Sequence, residues 1–183
     1  SSNASFGYGI YNELSNFNTI SSNNINNFGR NGSAIVLYSQ GFMNNLTLNT
    51  ITTSGFSGYG INLDSNNTNN LIYGNTISTI GTNGTGMQAV VSSSWNNFSS
   101  NSIITNGSYA FAIEVFGNSN GNTIAWNNIS TFSDHGKGIY CDTANLTNIT
   151  NNNIVTHETV SYGIQTDNCM QVNITSNIII TNG

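Results

Sequence analysis

The stretch "NTISTIG" at 75–81 recurs with small changes as "NTITTSG" at 49–55, "NSIITNG" at 101–107, "NNISTFS" at 127–133 and "NIIITNG" at 177–183. A fixed period constrains the fold more than any other property of this chain, because every copy must occupy an equivalent place. Aligned on these copies, one column reads Asn23, Asn49, Asn75, Asn101, Asn127, Asn152, Asn177. Two residues later another reads Ile25, Ile51, Ile77, Ile103, Ile129, Ile154, Ile179. Three residues before each asparagine stands Ile20, Leu46, Ile72, Phe98, Ile124, Ile149 or Ile174. Threonine follows the second isoleucine by two residues in six copies, from Thr53 to Thr181. A mostly glycine column follows it by four, running Gly29, Gly55, Gly81, Gly107, Ser133, Glu158, Gly183. A last apolar column reads Ile10, Ile35, Ile61, Met87, Ile113, Ile139, Ile164, each preceded by Gly or Ala. The period is 26 for most copies and 25 near the end. The length changes fall between the first and middle strand-like pieces, which marks that connection as the tolerant loop.

Each copy holds three short pieces of strand character. "IVL", "INL" and "IEV" alternate with period two, and Asn-x-Ile is β-rich and bounded by turn residues. No copy carries a helical stretch, and the strong helix formers are scarce. Three strands per copy over seven copies predict an all-β fold, a right-handed parallel β-helix of seven coils occupying 1–183 as one domain. Equivalent residues then stack about 4.8 Å apart. Isoleucine columns become ribs of a dry interior, and one coil cannot offset its own ordering entropy without its neighbours. Asparagines in register can each donate to one neighbour and accept from the other. The glycine column suits positions that need positive φ.

Composition narrows the function classes. Asparagine accounts for 37 of 183 residues, proline is absent, and the chain has seven acids against Arg30 and Lys137. Two cations cannot neutralise a phosphate track, so nucleic acid is not an expected partner. No run of eighteen apolar residues exists, so no membrane span is expected.

The pattern Ile-x-x-Asn-x-Ile followed by Gly-Ile, present from about Phe6 to Gly183, resembles the parallel β-helix repeat of the pectate-lyase-like superfamily, especially NosD-like and archaeal surface proteins. The resemblance is specific for fold and weak for function, because that superfamily includes lyases, hydrolases, epimerases, adhesins and structural walls. Lyase-like members use an Arg or Lys base beside acid-bound Ca²⁺, and here only Arg30 and Lys137 could serve.

No cap is evident at either end: "SSNAS" precedes the first coil and "IIITNG" finishes the last like an internal one. Head-to-tail stacking of copies would follow, with a seam of 14 residues between the Ile179 and Ile10 columns in place of the usual 10. A solenoid fragment lacking its caps would read the same way.

Candidate chemistry is sparse. Asp142 and Asp167 fall on adjacent coils on the outward parity, where a Ca²⁺ ion could relieve their repulsion; two solvated acids are the simpler account. His135 and His157 lie in connections, and the aromatic column Tyr8, Tyr59, Phe111, Tyr162 falls on the inward parity or at a corner. Cys141 reads as core, and the offset of Cys169 argues against a disulfide. Sequon residues Asn45, Asn97, Asn148 and Asn173 share one outward column open to N-glycosylation. The expected function is an extracellular or cell-surface structural protein that assembles with itself into a filament, tube or sheath, with glycans as possible partners and no catalytic residues assigned. The alternatives are a polysaccharide-binding or polysaccharide-cleaving module and a stalk segment of a larger adhesin.

Overall fold

The computed structural model describes residues 5–132 and 134–183; Ser133, a member of the glycine column, lies outside them. Among the described residues there is no helix, and twenty-one strands form three seven-stranded sheets. Every pairing joins one coil to the next in parallel, so the architecture is the expected β-solenoid of seven turns with three strands per turn. The first sheet runs from Ile10–Glu13 to Tyr162–Asp167, the second from Thr19–Ser21 to Asn173–Thr175, and the third from Asn24–Asn27 to Ile178–Asn182.

Register follows the sequence columns. Ile51 pairs with Ile77, Ile77 with Ile103, and Ile103 with Ile129. Ile61, Met87, Ile113 and Ile139 likewise stand over one another. These side chains are almost wholly buried and form one core together with the Leu46, Ile72, Phe98, Ile124 column. Each buried isoleucine contributes on the order of 1.5–3 kcal/mol.

The corners are built from left-handed backbone. The residue before each ladder asparagine has positive φ: Ser22, Leu48, Gly74, Ser100, Trp126, Asn151 and Ser176. The asparagine itself does not; its amide instead ties the corner together, as where Asn75 Nδ2 donates to the Tyr73 carbonyl, 3.3 Å. Corner N–H groups bond to the next coil, for example Trp95 N to Asn120 O and Gly121 N to Asn145 O, both 2.9 Å. Proline supplies neither positive φ nor an N–H, which accounts for its absence.

Two expectations are corrected here. The glycines at 29, 55, 81 and 107 do not have positive φ. They serve close approach instead, since a Cβ on Gly81 or Gly107 would land on the carbonyl oxygen of the glycine one coil before. Of the two placements expected for the aromatic column Tyr8, Tyr59, Phe111, Tyr162, inward or corner, the inward one fails; Tyr8 and Tyr162 are exposed and Tyr59 and Phe111 half-exposed. The cause is the small residue beside each apolar one. Ala112 and Ile113 are both buried, as are Gly60 and Ile61, so alternation breaks and the preceding residue turns outward. A Cβ on Gly60 would lie 2.6 Å from Ile77 Cγ2, which explains why only Gly or Ala occurs there.

Candidate functional site

Two features organise the polar chemistry: internal amide ladders and a trough on the outer face of the first sheet. In the expected ladder, Asn101 Nδ2 donates to Asn127 Oδ1 at 3.0 Å and to the Ile72 carbonyl at 2.9 Å. Its Oδ1 accepts from Asn75 Nδ2 at 3.0 Å and from Asn75 N at 2.9 Å. The same links run from Asn23 through Asn49 to Asn75, and from Asn127 through Asn152 to Asn177. A second ladder runs through Asn18, Asn44, Asn70 and Asn96, and Asn96 N donates to Asn122 Oδ1 at 2.8 Å. Its 26-residue spacing is the sequence signal for this ladder, set among many other asparagines. A third column carries Asn67, Ser93, Ser119 and Ala144, and there Ala144 N donates to the Cys169 thiol sulfur at 3.3 Å. Cys169 thus continues a polar column while Cys141 lies in the core; both thiols are free, and burial pushes Cys141 up to about 12.

The threonine column points inward, with Thr53, Thr79, Thr105, Thr131 and Thr156 all buried. Thr79 Oγ1 donates to the Gly84 carbonyl at 2.9 Å.

The trough has three rows of side chains in register. Its floor is Asn62, Gln88, Glu114, Tyr140 and Gln165. Gln88 is only 6% exposed although it stands on the outer face, and its Nε2 donates to Asn62 Oδ1 at 2.8 Å. One flank carries Phe111, Lys137 and Tyr162, the other Phe116, Asp142 and Asp167. Lys137 Nζ sits 3.7 Å from the Tyr140 ring centroid and 4.7 Å from that of Phe111, cation–π geometry at both rings. Burial lowers its pKa, against the opposing pull of Asp167, Glu114 and Asp142. Burial pushes Glu114 up to about 7, against the pull of Lys137 and with a further push from Asp142. Burial raises Tyr140 to about 12, with its hydrogen bond to Asp167 adding to the rise.

Asp142 and Asp167 stand side by side in register, as expected. Their charge is met by neighbouring polar groups: Tyr140 Oη and Gln165 Nε2 donate to Asp167 Oδ2 at 3.1 and 2.8 Å, and Asn168 Nδ2 to Asp142 Oδ1 at 3.3 Å. Among the described residues no three His, Cys, Asp or Glu gather as a metal set. Arg30 lies over Phe56, 4.9 Å from its centroid, and is not part of the trough. His135 stacks on Tyr109 at 4.7 Å in a left-handed corner, whereas His157, expected in a connection, ends the strand Asn153–His157, pairs with Asn182 and stacks on Phe132 at 4.4 Å.

Sequon residues Asn45, Asn97, Asn148 and Asn173 each open a strand of the second sheet. Asn45, Asn97 and Asn173 are exposed and Asn148 half-buried, with Asn173 Nδ2 donating to Asn148 Oδ1 at 2.9 Å. No helix among the described residues is long and apolar enough to cross a membrane. No family model, no curated protein and no solved structure matches the chain.

Proposed function

We propose that this chain is a structural solenoid of an extracellular or cell-surface layer, a rod that lengthens by coil-on-coil stacking with further copies of itself. This reading takes up the resemblance to NosD-like and archaeal surface repeats, which rests on the repeat pattern alone. One observation carries it: all seven coils share one cross-section, and each strand pairs in parallel and in register with its equivalent in the next coil. The same Ile and Asn columns would meet in the same register between two copies, so one coil face is complementary to the opposite face of another copy. A heterologous contact of this kind, repeated without closure, gives a fibre. In a longer chain the next coil in sequence would take this place through the same contacts. The sequon column supports the extracellular part of the proposal, because glycans there would project from the second sheet without disturbing the core.

Electron microscopy of the purified 183-residue protein at high concentration tests the assembly. Fibres or tubes that disappear in Ile179→Lys support it, and monomers at every concentration overturn it.

The trough favours a second reading, a polysaccharide-binding or polysaccharide-cleaving module. A carboxyl with a pKa of about 7 beside a lysine and two aspartates is a composition suited to acid–base work. Ca²⁺-dependent loss of a polymeric uronate, abolished in Asp142→Asn, would establish it; an inert protein would leave the structural reading alone.

A further inference from the structure

The connection between the first and second sheets is the one corner whose length varies. Six residues, 117–122, join Phe111–Phe116 to Thr123–Ala125, and five, 143–147, join Lys137–Asp142 to Asn148–Thr150. Beside this step lies an open cavity of about 520 Å³, lined by Trp95, Leu146 and Met170 together with Asn120, Asn145 and Gln171.

Trp95 is held there in an unusual way. It occupies a left-handed corner, φ 60°, and is 59% exposed. The equivalent residue one coil later is Gly121, φ +68°. A Cβ built on Gly121 would lie 2.5 Å from Trp95 Cε3, 2.6 Å from Cζ3 and 2.7 Å from Cδ2. Three consecutive ring atoms at nearly equal distance place that point over the face of the ring, not at its edge. The indole therefore lies flat on the Gly121 backbone, one face seated on the solenoid. Any side chain at 121 would lift it.

The surroundings of the ring are polar and uncharged. Asn120 N donates to Ser94 Oγ at 2.9 Å, Asn145 N to Asn120 Oδ1 at 2.7 Å, and Met170 N to Asn145 Oδ1 at 2.7 Å. With both Oδ1 atoms committed to this ladder, the Nδ2 groups of Asn120 and Asn145 have no partner among the described residues. The corner thus combines a rigid aromatic plate, two apolar neighbours, spare amide donors and no ionised side chain.

We propose that Trp95 on Gly121, with Asn120, Asn145 and Gln171, forms a binding site for a neutral saccharide. The C–H groups on the flat face of a pyranose are apolar and weakly positive, and they complement the negative face of an indole. Sugar hydroxyls accept from amide Nδ2 groups and donate to amide oxygens. An ionised sugar would find no cation here, which selects the neutral class. Asp142 and Asp167 end the strands that lead into this corner, but neither lines the cavity, and the site does not depend on their chemistry.

The test uses Trp126→Phe protein, in which Trp95 is the sole tryptophan, titrated with neutral oligomers of β-1,4-glucose, α-1,4-glucose and β-1,4-N-acetylglucosamine. Saturable change in Trp95 emission with at least one of them, unaffected by salt, is the expected result. In the native background Trp95→Ala and Gly121→Val should each weaken that binding at least about tenfold by affinity electrophoresis, while Asp142→Asn leaves it unchanged and fibre formation persists. Trp95 is a surface residue, so circular dichroism of Trp95→Ala should match the native protein. No saturation by any oligomer, binding that survives Trp95→Ala, or binding only of charged polymers that salt abolishes would each overturn the proposal.

Discussion

Replacing Asn101 by alanine tests whether the ladder holds the coils together. Asn101 stands in the middle of the stack, wholly buried, and makes four hydrogen bonds through its side chain. Two of its partners survive the change. Asn75 Nδ2 keeps the Leu46 carbonyl at 2.8 Å, and Asn127 Oδ1 keeps the Asn101 backbone N–H at 2.9 Å. Asn75 N is left buried and unpaired, while the Ile72 carbonyl loses one donor and stays in the ladder of the second sheet. An orphaned buried group costs about 1–3 kcal/mol and a lost hydrogen bond about 1 kcal/mol, so the loss is about 3 kcal/mol. Asn23→Ala is the control at the first coil. Asn49 Oδ1 keeps Asn23 N at 3.0 Å, and what is lost is donation to Asn49 and to the half-solvated Ser21 carbonyl. That change should cost about 1 kcal/mol. Guanidinium titration of both variants, followed by far-UV circular dichroism and tryptophan fluorescence, gives the comparison. Because a stack is held by nearest-neighbour contacts, the interior lesion should also separate the two transitions. Equal losses in the two variants, or a loss below about 1 kcal/mol in Asn101→Ala, would refute the reasoning.

Glu114→Gln probes the trough. The carboxyl has a pKa of about 7 in the fold against 4.5 in the unfolded chain. Between those values the folded state holds a proton that the unfolded state has released, so stability falls as pH rises and levels off above the folded value. The gap corresponds to about 3 kcal/mol. Native protein should lose melting temperature across that window and Glu114→Gln should stay flat; parallel curves would remove the buried carboxyl from the account. Gly107→Ala places a methyl on the Gly81 carbonyl, where backbone must move, and should cost about 3 kcal/mol by chemical denaturation. Gly74→Ala meets only the tip of Leu48 at 3.0 Å and bears the left-handed penalty alone, about 1–2 kcal/mol. An alanine at 107 tolerated better than one at 74 would contradict the close-approach explanation.

Much of this fold was legible because a solenoid writes its cross-section repeatedly. Ile51, Ile77 and Ile103 announce a shared position by recurrence, and their register in the third sheet is the sequence period itself. Orientation was less legible. Strict alternation leaves Tyr59 and Phe111 either inward or at a corner, and two consecutive buried residues, Gly60 with Ile61 and Ala112 with Ile113, turn them outward. The Asn44, Asn70, Asn96 ladder was present as a spacing, yet asparagine is so common here that a second column did not stand out. The Trp95 platform was invisible for the opposite reason. Tryptophan and glycine each occur once in their column, and column analysis favours what recurs over what departs. The trough floor also needed three dimensions, since Gln88 stands between Asn62 and Glu114, each one coil away.

The amide links of the main ladder all point one way. Nδ2 of each coil reaches Oδ1 of the coil that follows, from Asn23 to Asn177. Side-chain dipoles so aligned add along the axis, as peptide dipoles do in a helix. One face of any such stack therefore offers amide oxygen and the other amide hydrogen. Two like faces brought together would set acceptor against acceptor, so any column grown from such faces would have an arrow built into it and would extend by only one orientation of newcomer.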